Sequence, residues 1–299
     1  MSNSQWLWLI LLSILWGGSF FFVGVAVDDV PPLTLVAARV ALAAIVVVPV
    51  AVLVLGQSVP MTATAWGAFA GMALFNNIIP FTSITMAQAH IASGLAAVLN
   101  ATTPLMSLLM LRVFVADQPL TANKIGGVLV GIAGVAILMG PDVFGGLGGQ
   151  TTGMALMLVA TASYGLAAVW GRRLRSTPPT VSAAGQLTCS SLFLIPLALL
   201  VEQPLSLPVP GWPVILSIIG LAVLSTAIAY MIFFHILSVS GPTNVMLVTL
   251  LVPVSAIALG TLVLGETLLA RHIVGAFVIG AGLLVIDGRL FRLRQASSG

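Results

Sequence analysis

Two stretches decide the fold: PLMSLLMLRVFVADQPLTANKIGGVLVG at residues 104–131 and PVSAIALGTLVLGETLLARHIVGAFVIG at residues 253–280. Laid over each other they align Pro104 with Pro253, Asp117 with Glu266, Gly126 with Gly275 and Gly131 with Gly280, at an offset of about 149. Upstream, Trp16-Gly17 recurs as Tyr164-Gly165, Pro31-Pro32 as Pro178-Pro179 and Pro49 as Pro196, so the offset slips by only about two residues. The chain therefore carries its first half twice, a first repeat over 1–146 and a second over 147–299.

Composition says what the repeat is made of. The chain is 60% hydrophobic and 6% charged with a mean hydropathy of +1.19, where a soluble domain carries roughly 25% charged residues. Apolar windows of about 20 residues, each long enough for a bilayer, fall at 5–26, 33–55, 64–86, 92–114, 121–140, 152–173, 180–201, 212–236, 243–264 and 270–288, numbered here as spans 1 to 10. Five spans per repeat is an odd number, so the second copy starts on the opposite face of the membrane from the first. The expected fold is an all-α membrane protein of ten transmembrane helices, two inverted five-helix repeats around a central cavity. Inverted repeats of this kind are the architecture of alternating-access transporters, whose binding site lies where the repeats meet near the midplane. Span 1 does not read as a removable signal, because Met1 to Gln5 holds no Lys or Arg and span 6 needs it as a repeat partner.

The sequence pI of about 9.8 does not point to nucleic acid. With the N-terminus inside, Arg112, Lys124, Arg172, Arg173, Arg175, Arg289, Arg292 and Arg294 fall at cytoplasmic ends, Arg271 at an outer end and Arg39 within span 2. Of the acids, Asp28, Asp29, Asp142, Glu202 and Glu266 fall outside, and Asp117 and Asp287 inside. That bias over short loops puts both termini in the cytoplasm, with the lipid bilayer as the chain's solvent. A single cysteine, Cys189, leaves no intramolecular disulfide or cysteine-rich metal site. Neither a cofactor nor a metal is expected. Gly17-Gly18 leads into an apolar run, no Gly-Lys-Ser/Thr phosphate loop occurs, and Ser19, Ser163 and Ser190 lack a His–Asp constellation. ATP-driven pumping and intramembrane hydrolysis are excluded on those grounds, and no enzymatic activity is expected.

Small-residue pairs occur at Gly67/Gly71 and Gly127/Gly131, with Gly275, Gly280 and Gly282 in span 10. Such residues let helices approach closely in lipid. Packing within a monomer is the expected use, because two fused halves supply each other's partner surfaces, and a dimer interface is the competing one.

In so apolar a chain the informative residues are polar or aromatic ones at mid-span. Asn76 and Asn77 in span 3 have repeat mates Ser225 and Thr226 in span 8, and Phe81 and Tyr230 lie near one turn further on. Asn100 pairs with Thr249, and Trp16 with Tyr164. Proline inside a helix frees the carbonyl four residues earlier, so Pro80, Pro104 and Pro253 free those of Asn76, Asn100 and Thr249. An unsatisfied carbonyl is costly in lipid and belongs against protein or a water-filled cavity. The expected substrate-binding set is therefore Trp16, Asn76, Asn77, Phe81, Asn100, Tyr164, Thr226, Tyr230 and Thr249, with Pro104 and Pro253 as structural or gating elements. Free carbonyls, amides and aromatic faces suit an amino acid. Interhelical hydrogen bonding is the competing use of the same polar residues.

Arg39 lies about 10 Å below the outer end of span 2 at about 1.5 Å per residue. Within reach of Asp28, Asp29 or Glu266, it reads as a structural pin at the helix ends, with a gate or carboxylate anchor as the alternative. His235, His90 and His272 fall at helix ends or turns and read as interfacial.

The five-span duplication, Arg39 early in span 2 and a proline followed thirteen residues later by an acid (Pro104/Asp117, Pro253/Glu266) resemble the drug/metabolite transporter superfamily. The glycine-rich spans that follow those acids look like its EamA-type repeat. The first repeat departs by carrying Asp117 where the family more often has Glu, and Gln186 stands in the second repeat where the first has Arg39. The resemblance implies a bacterial inner-membrane exporter of amino acids, aromatic and other neutral ones, and related metabolites, similar to the YddG-type exporters, working as a monomer and by facilitation. A sugar-phosphate, nucleotide-sugar or drug carrier of the same fold, a passive channel and a membrane scaffold are the alternatives. A phosphorylated sugar is disfavoured because it calls for several basic residues and only Arg39 lies within a span.

Overall fold

The structure, a computed structural model, describes residues 3–115, 122–140, 148–245 and 247–287; Asp117, Asp142, Met246, Arg289, Arg292 and Arg294 lie outside them. All regular structure among the described residues is helical. The helices are α1 (Asn3–Ala26), α2 (Pro32–Val54), α3 (Ala63–Gln88), α4 (Ser93–Phe114), α5 (Ala122–Met139), α6 (Gly149–Leu174), α7 (Pro179–Val201), α8 (Trp212–Ser240), α9 (Val248–Val263) and α10 (Ala270–Asp287). The first eight are long and apolar enough to cross a membrane. The windows at 243–264 and 270–288 hold shorter apolar helices, so the ten-span count is not met by length and composition alone.

The helix starts follow from the chain. Pro32 and Pro179 occupy the first turns of α2 and α7, where a missing N–H costs nothing. Thr62 caps α3 by accepting from the Ala65 N–H at 3.3 Å. Each of α3 and α8 is interrupted by one wide π-turn, at Ala73–Ile78 and Val223–Ile228. These turns are repeat mates, and they carry Asn76-Asn77 and Ser225-Thr226. In α4 the α-helical hydrogen bonding breaks after Asn100 and resumes at Thr103, with Pro104 in the new first turn.

Packing pairs the two halves. Helix α2 lies along α7 and α5 along α10, while α1 packs on α8 and α9 and α6 on α3 and α4. Glycines set the closest crossings, as expected where backbone approach replaces the hydrophobic effect. A Cβ on Gly17 would strike Ser255 and Ala256 of α9, and one on Gly165 would strike Met106 and Met110 of α4. Gly17 and Gly165 are repeat mates, as are Met106 and Ser255, so the two crossings exchange partners between halves. Gly127 and Gly134 meet the α10 backbone at Gly282 and Gly275, which makes intrachain packing the observed use of these glycines. Gly71 faces the Trp170 ring, whereas Gly67 and Gly280 have nothing within 4 Å.

Candidate functional site

A cavity of ≈ 570 Å³ lies between the two halves, within the range of about 300–1,000 Å³ usual for ligand pockets. One wall is polar. In the π-turn of α3, Asn76 Nδ2 donates to Gln186 Oε1 of α7 at 2.9 Å and to the Tyr230 hydroxyl at 3.3 Å. Tyr230 in turn donates to Asn77 Oδ1 at 3.3 Å, and Asn77 Nδ2 donates to Ser190 Oγ at 3.0 Å. Above this network stands Arg39, 5% exposed, its guanidinium 3.6 Å from the centroid of the Phe81 ring. Its Nε donates to Thr226 Oγ1 at 2.9 Å, and the Thr226 hydroxyl in turn donates to the Leu221 carbonyl at 2.8 Å. The other wall is aromatic: Phe233 lies 5.4 Å from Trp16 and 5.5 Å from Phe234, which is 6.0 Å from Tyr230, centroid to centroid.

The two ends of the cavity differ. Its lining continues past Ala168 and Gly171 to Arg175, Thr177 and Pro179 at the α6–α7 junction. The opposite end is tied shut by two carboxylates of the second half that cap helices of the first. Glu266 accepts from the Ser93 N–H and hydroxyl, both at 2.8 Å, and from the Gly94 N–H at 3.2 Å. Glu202 accepts from the Leu33 and Thr34 N–H groups at 2.9 and 2.6 Å and from the Thr34 hydroxyl at 2.7 Å. Each fills the first turn of a helix with negative charge, where orphan N–H groups and the dipole favour it. Gln88 Nε2 donates across the same end to the Phe20 carbonyl at 2.8 Å. At the open end the Thr180 hydroxyl donates to Gln57 Oε1.

The model of the EamA-like transporter family matches residues 4–140 and, a second time, residues 151–287. The chain belongs to the EamA-like transporter family. The inner membrane transporter YedA of Escherichia coli K12 is similar to this EamA-like chain, at 25% identity over 95% of this chain and 91% of its own length. So is a protein of Salmonella typhimurium named a probable amino-acid metabolite efflux pump, at 27% identity over 99% of both chains. Protein PecM of Dickeya dadantii matches at 27% identity over 82% of this chain and 81% of its own. A solved crystal structure shares the fold with a TM-score of 0.67 at 20% identity, covering 96% of this chain and 98% of that one. The family and the names of the Escherichia coli and Salmonella relatives describe transporters rather than enzymes.

Against that frame of helices, Trp16, Asn76, Phe81, Asn100, Tyr164, Tyr230, Thr249, Arg39 and Pro104 of the EamA-like chain all line the cavity. Asn77 and Thr226 do not: both are 0% exposed and stand behind the wall, holding Tyr230 and Arg39. Pro253 lies within α9, outside the lining. Two expectations need correction. Arg39 does not reach outward to Asp28, Asp29 or Glu266, the last already engaged by Ser93 and Gly94; its guanidinium sits over the Phe81 ring and bonds Thr226 instead. The Asn100 carbonyl that Pro104 frees is not open either, since the Thr103 hydroxyl donates to it at 2.7 Å. Gln186, Phe233 and Phe234 were missed as wall residues. Gln186 had a signal, its place opposite Arg39 in the repeat; the phenylalanines had none in so apolar a helix. Ser163 and Ser190 donate to the carbonyls of Phe75 and Gln186 at 2.8 and 2.7 Å. No group of three or more His, Cys, Asp or Glu able to hold a metal occurs among the described residues.

Proposed function

We propose that this chain is a secondary transporter that exports neutral amino acids, aromatic ones included, and related metabolites across a bacterial inner membrane. In this reading α1 to α10 all cross the bilayer as two inverted five-helix repeats, 1–146 and 147–299, with both termini in the cytoplasm. The basic residues Arg172, Arg173 and Arg175 then put the open end of the cavity inside, so the state described is inward-facing. The observation that carries the reading is the cavity itself, lined by repeat mates from both halves, open at one end and tied at the other. A single site between two halves that are tied at one end is what rocking of one repeat against the other requires.

The mixed walls fit the solute class. Asn76, Gln186 and Tyr230 offer hydrogen bonds and Trp16, Phe233 and Phe234 an apolar face, which together suit a small zwitterion with an uncharged side chain. The name of the Salmonella relative agrees with this. The test is uptake of each of the twenty amino acids into proteoliposomes of the purified protein, with empty liposomes as reference. Saturable flux of one or more neutral amino acids is expected. If none moves above the empty vesicles while a purified relative is active in the same lipid, the amino-acid reading fails.

A further inference from the structure

Among the described residues Arg39 is the one charged side chain at the centre of the cavity, and no carboxylate there neutralises it. It is 5% exposed, it lines the cavity, and its protein partners are the Thr226 hydroxyl at Nε and the face of Phe81. Both partners are neutral. At the closed end Glu202 and Glu266 are spent on the first turns of α2 and α4, and neither Asp28 nor Asp29 is among the partners of Arg39. Among the described lining residues there is no Asp or Glu at all, and the other cation, Arg175, sits at the open mouth.

A guanidinium buried without a counter-charge is costly to keep in a membrane protein, on the order of 3 kcal/mol on insertion scales. The geometry shows what the cost maintains. The guanidinium carbon sits 3.6 Å from the Phe81 ring centroid and the Thr226 bond takes Nε, which leaves the two Nη groups as the part that no described side chain engages. A planar fork with paired N–H donors matches a carboxylate in bidentate fashion. The remaining polar groups around the cavity, Asn76, Gln186, Asn100, Thr249 and Tyr230, are neutral amides and hydroxyls. They can accept a hydrogen bond from an ammonium or from a hydroxyl without distinguishing the two by charge.

We propose that Arg39 is the carboxylate subsite of this cavity, and that the transported solute must carry a carboxylate while its amine is optional. The inference rests on the cavity being the transport site, as proposed above, and deepens it: the substrate class widens from amino acids to small monocarboxylates of similar shape, and cationic solutes are refused. A 2-hydroxy acid is accepted in place of the corresponding amino acid. The same molecule with its carboxylate converted to an amide is not, because it would bring a net positive charge next to Arg39.

The test uses three probes of one shape in counterflow with wild-type proteoliposomes: L-phenylalanine, L-3-phenyllactate and L-phenylalaninamide. Phenylalanine and phenyllactate are expected to compete with each other's labelled form within about threefold, and phenylalaninamide is expected to compete with neither. Arg39→Gln should lower flux of both carboxylates at least tenfold, with Arg39→Lys retaining more than Arg39→Gln. The wild-type competition does not depend on either variant folding. Competition by the amide equal to that by phenylalanine, or parental flux in a folded Arg39→Gln protein, overturns the subsite. Failure of phenyllactate to compete with transported phenylalanine overturns the optional amine while leaving amino-acid export in place. Movement of phenyllactate with no amino acid moving would sink the export proposal and uphold the subsite. If neither carboxylate moves or competes, the subsite is refuted with it.

Discussion

Replacing Glu266 by Gln should open the closed end of the cavity. The carboxylate accepts three hydrogen bonds in the first turn of α4, from two backbone N–H groups and a hydroxyl. It fits there because residue 260 is glycine; a Cβ at that position would strike the carboxylate and Ser93. Hydrogen bonds to a charged acceptor contribute about 1.5–3 kcal/mol and neutral ones about 0.5–1.5. An amide keeps one acceptor oxygen and turns the other into a donor aimed at donors. For a half-buried group the net loss is about 2 kcal/mol after allowing for solvent screening. If α4 and the Glu266 turn separate when this end opens, that energy is lost from the closed state only. About 2 kcal/mol is roughly a thirtyfold change in the ratio of the two states, at about 1.4 kcal/mol per tenfold. The readout is a cysteine at Ser19, which lines the cavity, in a background where the sole native cysteine, Cys189, is serine. A membrane-impermeant maleimide added on the extracytoplasmic side should label Ser19→Cys at least tenfold faster in Glu266→Gln than with Glu266 in place. Equal labelling rates in two folded proteins would refute the reasoning, because they would mean that the contact survives opening.

Three further outcomes follow from the same geometry. Tyr230→Phe should cut flux severalfold, since the hydroxyl joins Asn76 to Asn77 across the polar wall, while the melting temperature in detergent shifts little. Gly275→Leu should lower that melting temperature, because its side chain would enter the backbone of α5 at Gly134 and Leu138, and overpacking costs about 1–3 kcal/mol; Gly280→Leu, with open space beside it, should not. A protonophore should leave net flux unchanged at a fixed substrate gradient, because no carboxylate is among the described lining residues; loss of flux would mean that a group outside that set couples protons.

Much of the architecture was legible from residue spacing. Helices α1 to α7 begin and end within about three residues of the apolar windows and α8 begins where its own window does, because proline pairs and polar turns leave little choice where a span starts. The cavity was legible where a polar or aromatic residue interrupted an apolar helix, as at Trp16, Tyr164, Asn100 and Thr249. Two kinds of detail were not. Adjacent residues on a helix point about 100° apart, so Asn76 and Asn77 cannot both face one cavity, and spacing alone does not say which does. The π-turns settle it, and only the first has a proline, Pro80, to announce the break. The direction of Arg39 was equally open, because its long side chain can run outward along its helix or inward to the cavity. Its choice depends on Glu202 and Glu266 being occupied by helix starts more than a hundred residues away in sequence, which a local reading does not see.

The central claim is that one cavity is exposed to the two sides in turn. Trans-stimulation tests it most directly: efflux of a labelled substrate amino acid from preloaded proteoliposomes, with and without saturating unlabelled amino acid outside. In a carrier whose halves rock about a single site, the return of the occupied protein differs in rate from that of the empty one, and the account predicts that external amino acid accelerates efflux. Efflux that neither saturates with internal concentration nor responds to external amino acid would contradict it, and would make the cavity the vestibule of a continuous pore.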